Sequence, residues 1–95
     1  MIDQTLPHSK FPLGRVAATP GAISALPQEE MMQALNRHAR GDWGELDAED
    51  VEENELSLKQ GFRLLSAYTS SAGVPFWIIT EADRSATVLL LPEEY

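Results

Sequence analysis

There is no cysteine in these 95 residues, so neither a disulfide framework nor a thiolate metal site can be built. That absence fits a reducing compartment, and the chain reads as cytoplasmic. Long apolar runs are also missing. None exceeds Val88-Leu89-Leu90-Leu91, far short of the roughly 20 residues that span a bilayer, and the opening MIDQTLPHSKFPLG lacks a basic-then-apolar signal pattern. Basic charge is scarce: 7 Lys and Arg face 15 Asp and Glu, a formal charge of −8. This disfavours direct attraction to nucleic acid or anionic lipid and favours a basic protein partner or simple solubility. Histidine occurs twice, at His8 and His38. Gly41 and Gly44 bracket Asp42-Trp43 without the preceding strand and following lysine of a phosphate loop. No internal repeat is visible.

What is present is one ordinary small domain's worth of apolar material, 43% of the chain, enough for a single core. Residues 1 to 12 carry Pro7 and Pro12 without any sustained period and read as a flexible or extended arm. Residues 13 to 95 read as the domain. Leu13 to Thr19 is a weak strand. Thr19-Pro20-Gly21 has the form of a helix entrance, with Thr19 as cap and Pro20 in the first turn, and Pro27 then either opens a second helix or kinks the first. QEEMMQALNRHAR, residues 28 to 40, places Met31, Leu35, His38 and Ala39 at helical spacing, with Gly41 as its left-handed stop. Another helix should start at Asp47, capped on the N–H of Asp50, and end at Gly61. Its apolar stripe, Ala48, Val51 and Leu58, is thin, so it belongs on the surface.

From Phe62 the period changes. FRLLSAYT, PFWIIT and ATVLLL are β-branched and aromatic runs joined by SSAGV and EADRS, which predicts an antiparallel meander. Apolar residues fall on both pleat faces of the second and third runs, so at least one strand should be covered twice, by helices or by a second subunit in a homodimer. The expected fold class is α+β: an N-terminal strand, two to three helices, then a three-stranded antiparallel meander.

The charge is not spread evenly. GDWGELDAEDVEENEL, residues 41 to 56, holds eight acids and no base, while the remaining acids and bases balance. As one helix, residues 42 to 55 would span about 20 Å, one charge per about 2.6 Å, against one per about 1.7 Å of DNA axis. Such a strip can occupy the basic groove of a DNA-handling protein; the plainer reading is a solubilising face. Only Glu55 and Lys59 form an opposing pair on the same helix. The candidate partner-binding residues are therefore Asp42, Trp43, Glu45, Asp47, Glu49, Asp50, Glu52, Glu53 and Glu55, with Trp43 either an interface anchor or, more in keeping with its neighbours, a core cap. The turn residues Glu81, Asp83 and Arg84 form a secondary contact loop, or else an internal ion pair with Ser85 shaping the turn. Asp42, Gly44, Glu45 and Asp47 miss calcium-loop spacing. Asp47, Asp50 and Asn54 share a helix side but favour a solvated face over a metal site, and no metal or cofactor is expected. His38 has a generic alternative as a general base with Asp42 and Ser85. A packed imidazole is the better reading, so no catalytic residue is assigned.

RHARGDWGELDAED (37 to 50), WIITEADRSATVLLLPEEY (77 to 95) and LGRVAATPGAISAL (13 to 26) resemble a family of small uncharacterised proteins of bacterial plasmids, integrative elements and phages, some labelled plasmid-related protein or type I restriction subunit M. Leu26-Pro27-Gln28 is shorter than the loop expected there. The resemblance implies a mobile-element setting and brings no activity, cofactor or site residue. A methyltransferase subunit is excluded by size and by the missing glycine motif. The expectation is a non-enzymatic acidic interaction protein, DNA-mimic-like, countering restriction or CRISPR machinery through a basic surface of a nucleic-acid-handling host protein, with no direct contact to nucleic acid or membrane. The alternatives are an antitoxin-like or regulatory partner of a basic protein, and a small hydrolase or nuclease using His38.

Overall fold

A computed structural model describes residues 9 to 95. Four strands, β1 (Arg15–Ala18), β2 (Leu64–Thr69), β3 (Pro75–Thr80) and β4 (Ala86–Leu90), and three helices, α1 (Pro20–Ala25), α2 (Gln28–Ala39) and α3 (Ala48–Gln60), are followed by a 3₁₀ turn at Pro92–Glu94. The α+β class and the meander of β2, β3 and β4 are as the residue pattern predicts. The N-terminal strand does more than precede them. It joins β4 in parallel, Arg15 opposite Ala86 and Ala18 opposite Leu89, giving one mixed sheet of order β1-β4-β3-β2.

Local chemistry sets the helix ends. The Thr19 hydroxyl accepts from Ala22 N–H and caps α1. Pro27 opens α2 as its N-cap instead of kinking a longer helix. Asp47 caps α3 on the Asp50 N–H, and Gly61, at φ 79°, stops it in the left-handed region, where glycine carries no side-chain penalty. Glu94 pins the last turn to the start of α1: one carboxylate oxygen accepts from the Thr19 hydroxyl at 2.5 Å and from Leu91 N–H, the other from Gly21 N–H. A Cβ on Gly21 would stand 2.4 Å from that carboxylate. Tyr95 then lays its ring edge-on against Trp77 and accepts from Arg63. The terminal LPEEY is thus anchored at Glu94 and Tyr95.

The core lies between one sheet face and the helices, built from Leu13, Ala22, Leu26, Ala34, Leu35, Leu64, Tyr68, Phe76, Ile78 and Leu89, with Phe11 and Trp43 stacked at its end. Phe11 corrects the boundary of the N-terminal arm. Its ring is buried and Lys10 N–H donates to Ala39 O, so the core begins before residue 13; residues 1 to 8, His8 among them, lie outside the described part. On the opposite face Ile79 and Leu90 are also buried, apart from the main core. Trp77 and Val88 there are half-buried.

Candidate functional site

The acid-rich segment does not form one helix. Residues 42 to 47 run alongside β2, where Gly44 bridges Ala67, the Ala67 N–H donates to Trp43 O and the Glu45 N–H donates to Ala67 O. Gly44 takes φ 76°, and a Cβ there would lie 2.0 Å from Ala67 O. The helix begins only at Ala48. The expected row of eight charges along about 20 Å of helix is therefore broken into an extended part and a helical part.

The eight carboxylates divide by what they touch. Asp42 faces Arg37 in a two-point ion pair of 2.8 and 3.2 Å, and that hydrogen bond holds its carboxyl below the ordinary range. Glu45 accepts from the Thr69 hydroxyl, Asp47 caps α3, and Glu55 accepts from Trp43 Nε1–H at 2.8 Å. These four serve the fold. Glu49, Asp50, Glu52 and Glu53 are exposed, and no described group donates to their carboxylates. The opposing pair expected between Glu55 and Lys59 does not form, because Glu55 is turned to the indole. Among the described residues the ion pairs are Arg37 with Asp42 and Arg63 with Glu81.

Trp43 is corrected as a contact residue. It is 3% exposed, stacked 6.2 Å from Phe11 and edge-on to His38, so it presents nothing to a partner. The turn at 81 to 85 is likewise engaged inwards. Glu81 pairs with Arg63, and Asp83 accepts from Ser85 N–H. Arg84, at φ 62°, donates to the carbonyls of Phe62, Glu81, Ala82 and Ser57 and stands over the Phe11 ring. It locks the hairpin to the end of α3, and the secondary contact loop loses its one cation.

Asn54, expected with Asp47 and Asp50 on a solvated helix side, is turned inwards instead. It is buried, and its amide closes a two-point bond on β2: Nδ2 donates to Leu65 O at 2.6 Å, and Oδ1 accepts from Leu65 N–H at 3.2 Å. The side chain takes the place of a neighbouring strand. Beside it, a cleft of about 330 Å³ is lined by Leu46, Asp50, Glu53, Asn54, Ser57, Arg63 and Leu65.

His38 is fully buried and both ring nitrogens are occupied. Nδ1 lies 2.5 Å from Ser66 Oγ and Nε2 2.8 Å from Thr80 Oγ1; Thr80 meets Thr87 Oγ1 at 2.7 Å, and Thr87 donates to Leu13 O. A carbonyl only accepts, so the chain has one polarity. Thr87 must accept from Thr80, and Thr80 from Nε2–H; with the ring kept neutral by its burial, Nδ1 accepts from Ser66. The imidazole is therefore the neutral Nε2–H tautomer. Burial, with the Arg84 charge adding, lowers its pKa to about 3. The triad of His38, Asp42 and Ser85 does not assemble: Asp42 belongs to Arg37, and Ser85 sits in the exposed turn. Among the described residues no three carboxylates or imidazoles converge as a metal site, and no helix is long and apolar enough to cross a membrane.

No family model, curated protein or solved structure matches the chain.

Proposed function

We propose that the chain is a non-enzymatic interaction protein whose α3 outer face engages a cationic surface of a protein that handles nucleic acid, in the setting of a mobile element countering host restriction or CRISPR systems. The observation that carries this reading is the division of the acids. Four carboxylates within five residues of α3 have no partner among the described residues, although the same chain neutralises or hydrogen-bonds the other four of the segment. Glu49 to Glu53 rise about 6 Å along the helix, a length over which duplex DNA carries about three or four phosphates. The patch is thus phosphate-like in density and short in reach. It suits one basic loop or helix of a partner more than a long groove. Mutual repulsion among these charges lowers stability, a cost that a binding role would offset.

The test is reversal of Glu49, Asp50, Glu52 and Glu53 to Lys, followed by capture from host lysate at low and high salt. Loss of capture with an unchanged circular-dichroism spectrum, and salt-sensitive capture by the wild type, support the reading. Equal capture by both proteins overturns it.

A further inference from the structure

The two edges of the sheet are treated in opposite ways. Along β2 every outward group from Leu65 to Ala67 is taken, Leu65 by the Asn54 amide and Ala67 by Trp43 O and Glu45 N–H, and the Thr69 hydroxyl donates to Glu45. Along β1, Arg15 N–H donates to Ser85 O and Thr19 N–H to Leu89 O, so odd-numbered residues face β4. The N–H and C=O of Val16 and Ala18 therefore point away from the sheet, and no described group meets them. β1 contains neither proline nor lysine and pairs with β4 without a bulge. Among the described residues, shortness and the single charge of Arg15 are the devices that blunt this edge; proline, lysine, a bulge and a covering segment are missing.

What surrounds this edge narrows the occupant. A cleft of about 210 Å³ runs between β1 and α2, lined by Val16, Ala18, Met31, Met32 and Leu35, with Met32 47% exposed. From Phe11 to Gln28 the only charged residue is Arg15, while the acid-bearing α3 packs on β2 at the far edge. A molecule of charge −8 can approach a copy of itself at β1 with its ridges held apart. The register is also self-complementary. In an antiparallel pairing about a two-fold axis through Ala17, Val16 faces Ala18 of the second copy and Ala18 faces its Val16. All four outward groups are then bonded, without recourse to Gly14 or to Pro20, which has no N–H. Ala17, small and exposed, falls on the axis as a close, non-hydrogen-bonded pair. An axis normal to the sheet keeps both helical layers on one side, so Met31 and Met32 meet their counterparts.

We propose that this chain forms a homodimer by antiparallel pairing of β1 with β1 of a second copy, completing an eight-stranded sheet. The proposal stands apart from the role of α3, whose charge reversal leaves it intact.

Because the chain has no cysteine, Ala17→Cys introduces a single thiol at the axis, where Cα atoms about 4.5 Å apart permit a disulfide. Ser24→Cys, on exposed α1, is the control. Under a mild oxidant Ala17→Cys should cross-link to dimer at least about tenfold faster than the control, and the wild type should show concentration-dependent dimer in sedimentation between about 10 µM and 1 mM. Val16→Pro removes an outward donor that no internal bond uses, and Met32→Glu places like charges across the axis. Each should yield monomer with native circular dichroism; should Val16→Pro unfold, Met32→Glu decides alone. Cross-linking no faster than the control, or a dimer that persists in folded Met32→Glu, overturns the proposal.

Discussion

At the scale of the residue, His38 has a measurable consequence. Its folded pKa is lowered from the ordinary 6.5 to about 3, because protonation would place a charge in a dry site and break the one-way chain from Ser66 to Leu13 O. The unfolded state then binds the proton more readily. The His38 contribution is fully present above pH 6.5 and is lost as pH falls towards 3. Between pH 7 and pH 5 the free energy of unfolding should drop by about 2 kcal/mol from this group, readable as a lower urea midpoint at unchanged slope. A folded His38→Gln protein should lose that part of the acid limb. The histidine's helical spacing with Met31 and Leu35 made a packed imidazole legible beforehand. Its partners were not, since Ser66, Thr80 and Thr87 lie on three different strands and look like any small polar residues in a strand.

At the scale of the element, α3 is held by Val51 and Leu58 on the core and by Asn54 on the β2 edge. Its boundaries were readable from Asp47 and Gly61, because capping is decided within four residues. Its attachment was not. Glu55 turns to Trp43, which removes it from the row of free charges, and Asn54 substitutes for a strand. Asn54→Ala should leave the part-buried N–H and C=O of Leu65 without their partner and lower stability by about 1 kcal/mol, seen in equilibrium unfolding. The amide protons of α3 and β2 should then exchange faster, with α2 little changed. Asn54→Asp should be worse, since a carboxylate can accept from Leu65 N–H but repels Leu65 O.

At the scale of the whole molecule, charge and topology are separate layers. The scaffold outside residues 41 to 56 is neutral, and the four α3 carboxylates that meet no described donor repel one another. Raising salt from about 10 mM to about 150 mM should therefore raise the thermal midpoint by screening, and the gain should vanish when Glu49, Asp50, Glu52 and Glu53 are all changed to Gln. No gain in the wild type would mean that the ridge carries no strain.

The amino-acid order by itself determined the helix ends, the three strand runs of the meander and the place of the charge. All of these depend on side chains within a turn or two of one another. Only the tertiary structure decided that β1 lies parallel to β4, that Trp43 and Arg84 face inwards, that half of the acids of residues 41 to 56 serve the fold, and that one sheet edge is sealed while the other meets no described group. These depend on partners distant in the chain, and a carboxylate, an indole or an unpaired strand edge has the same local sequence whether or not such a partner arrives.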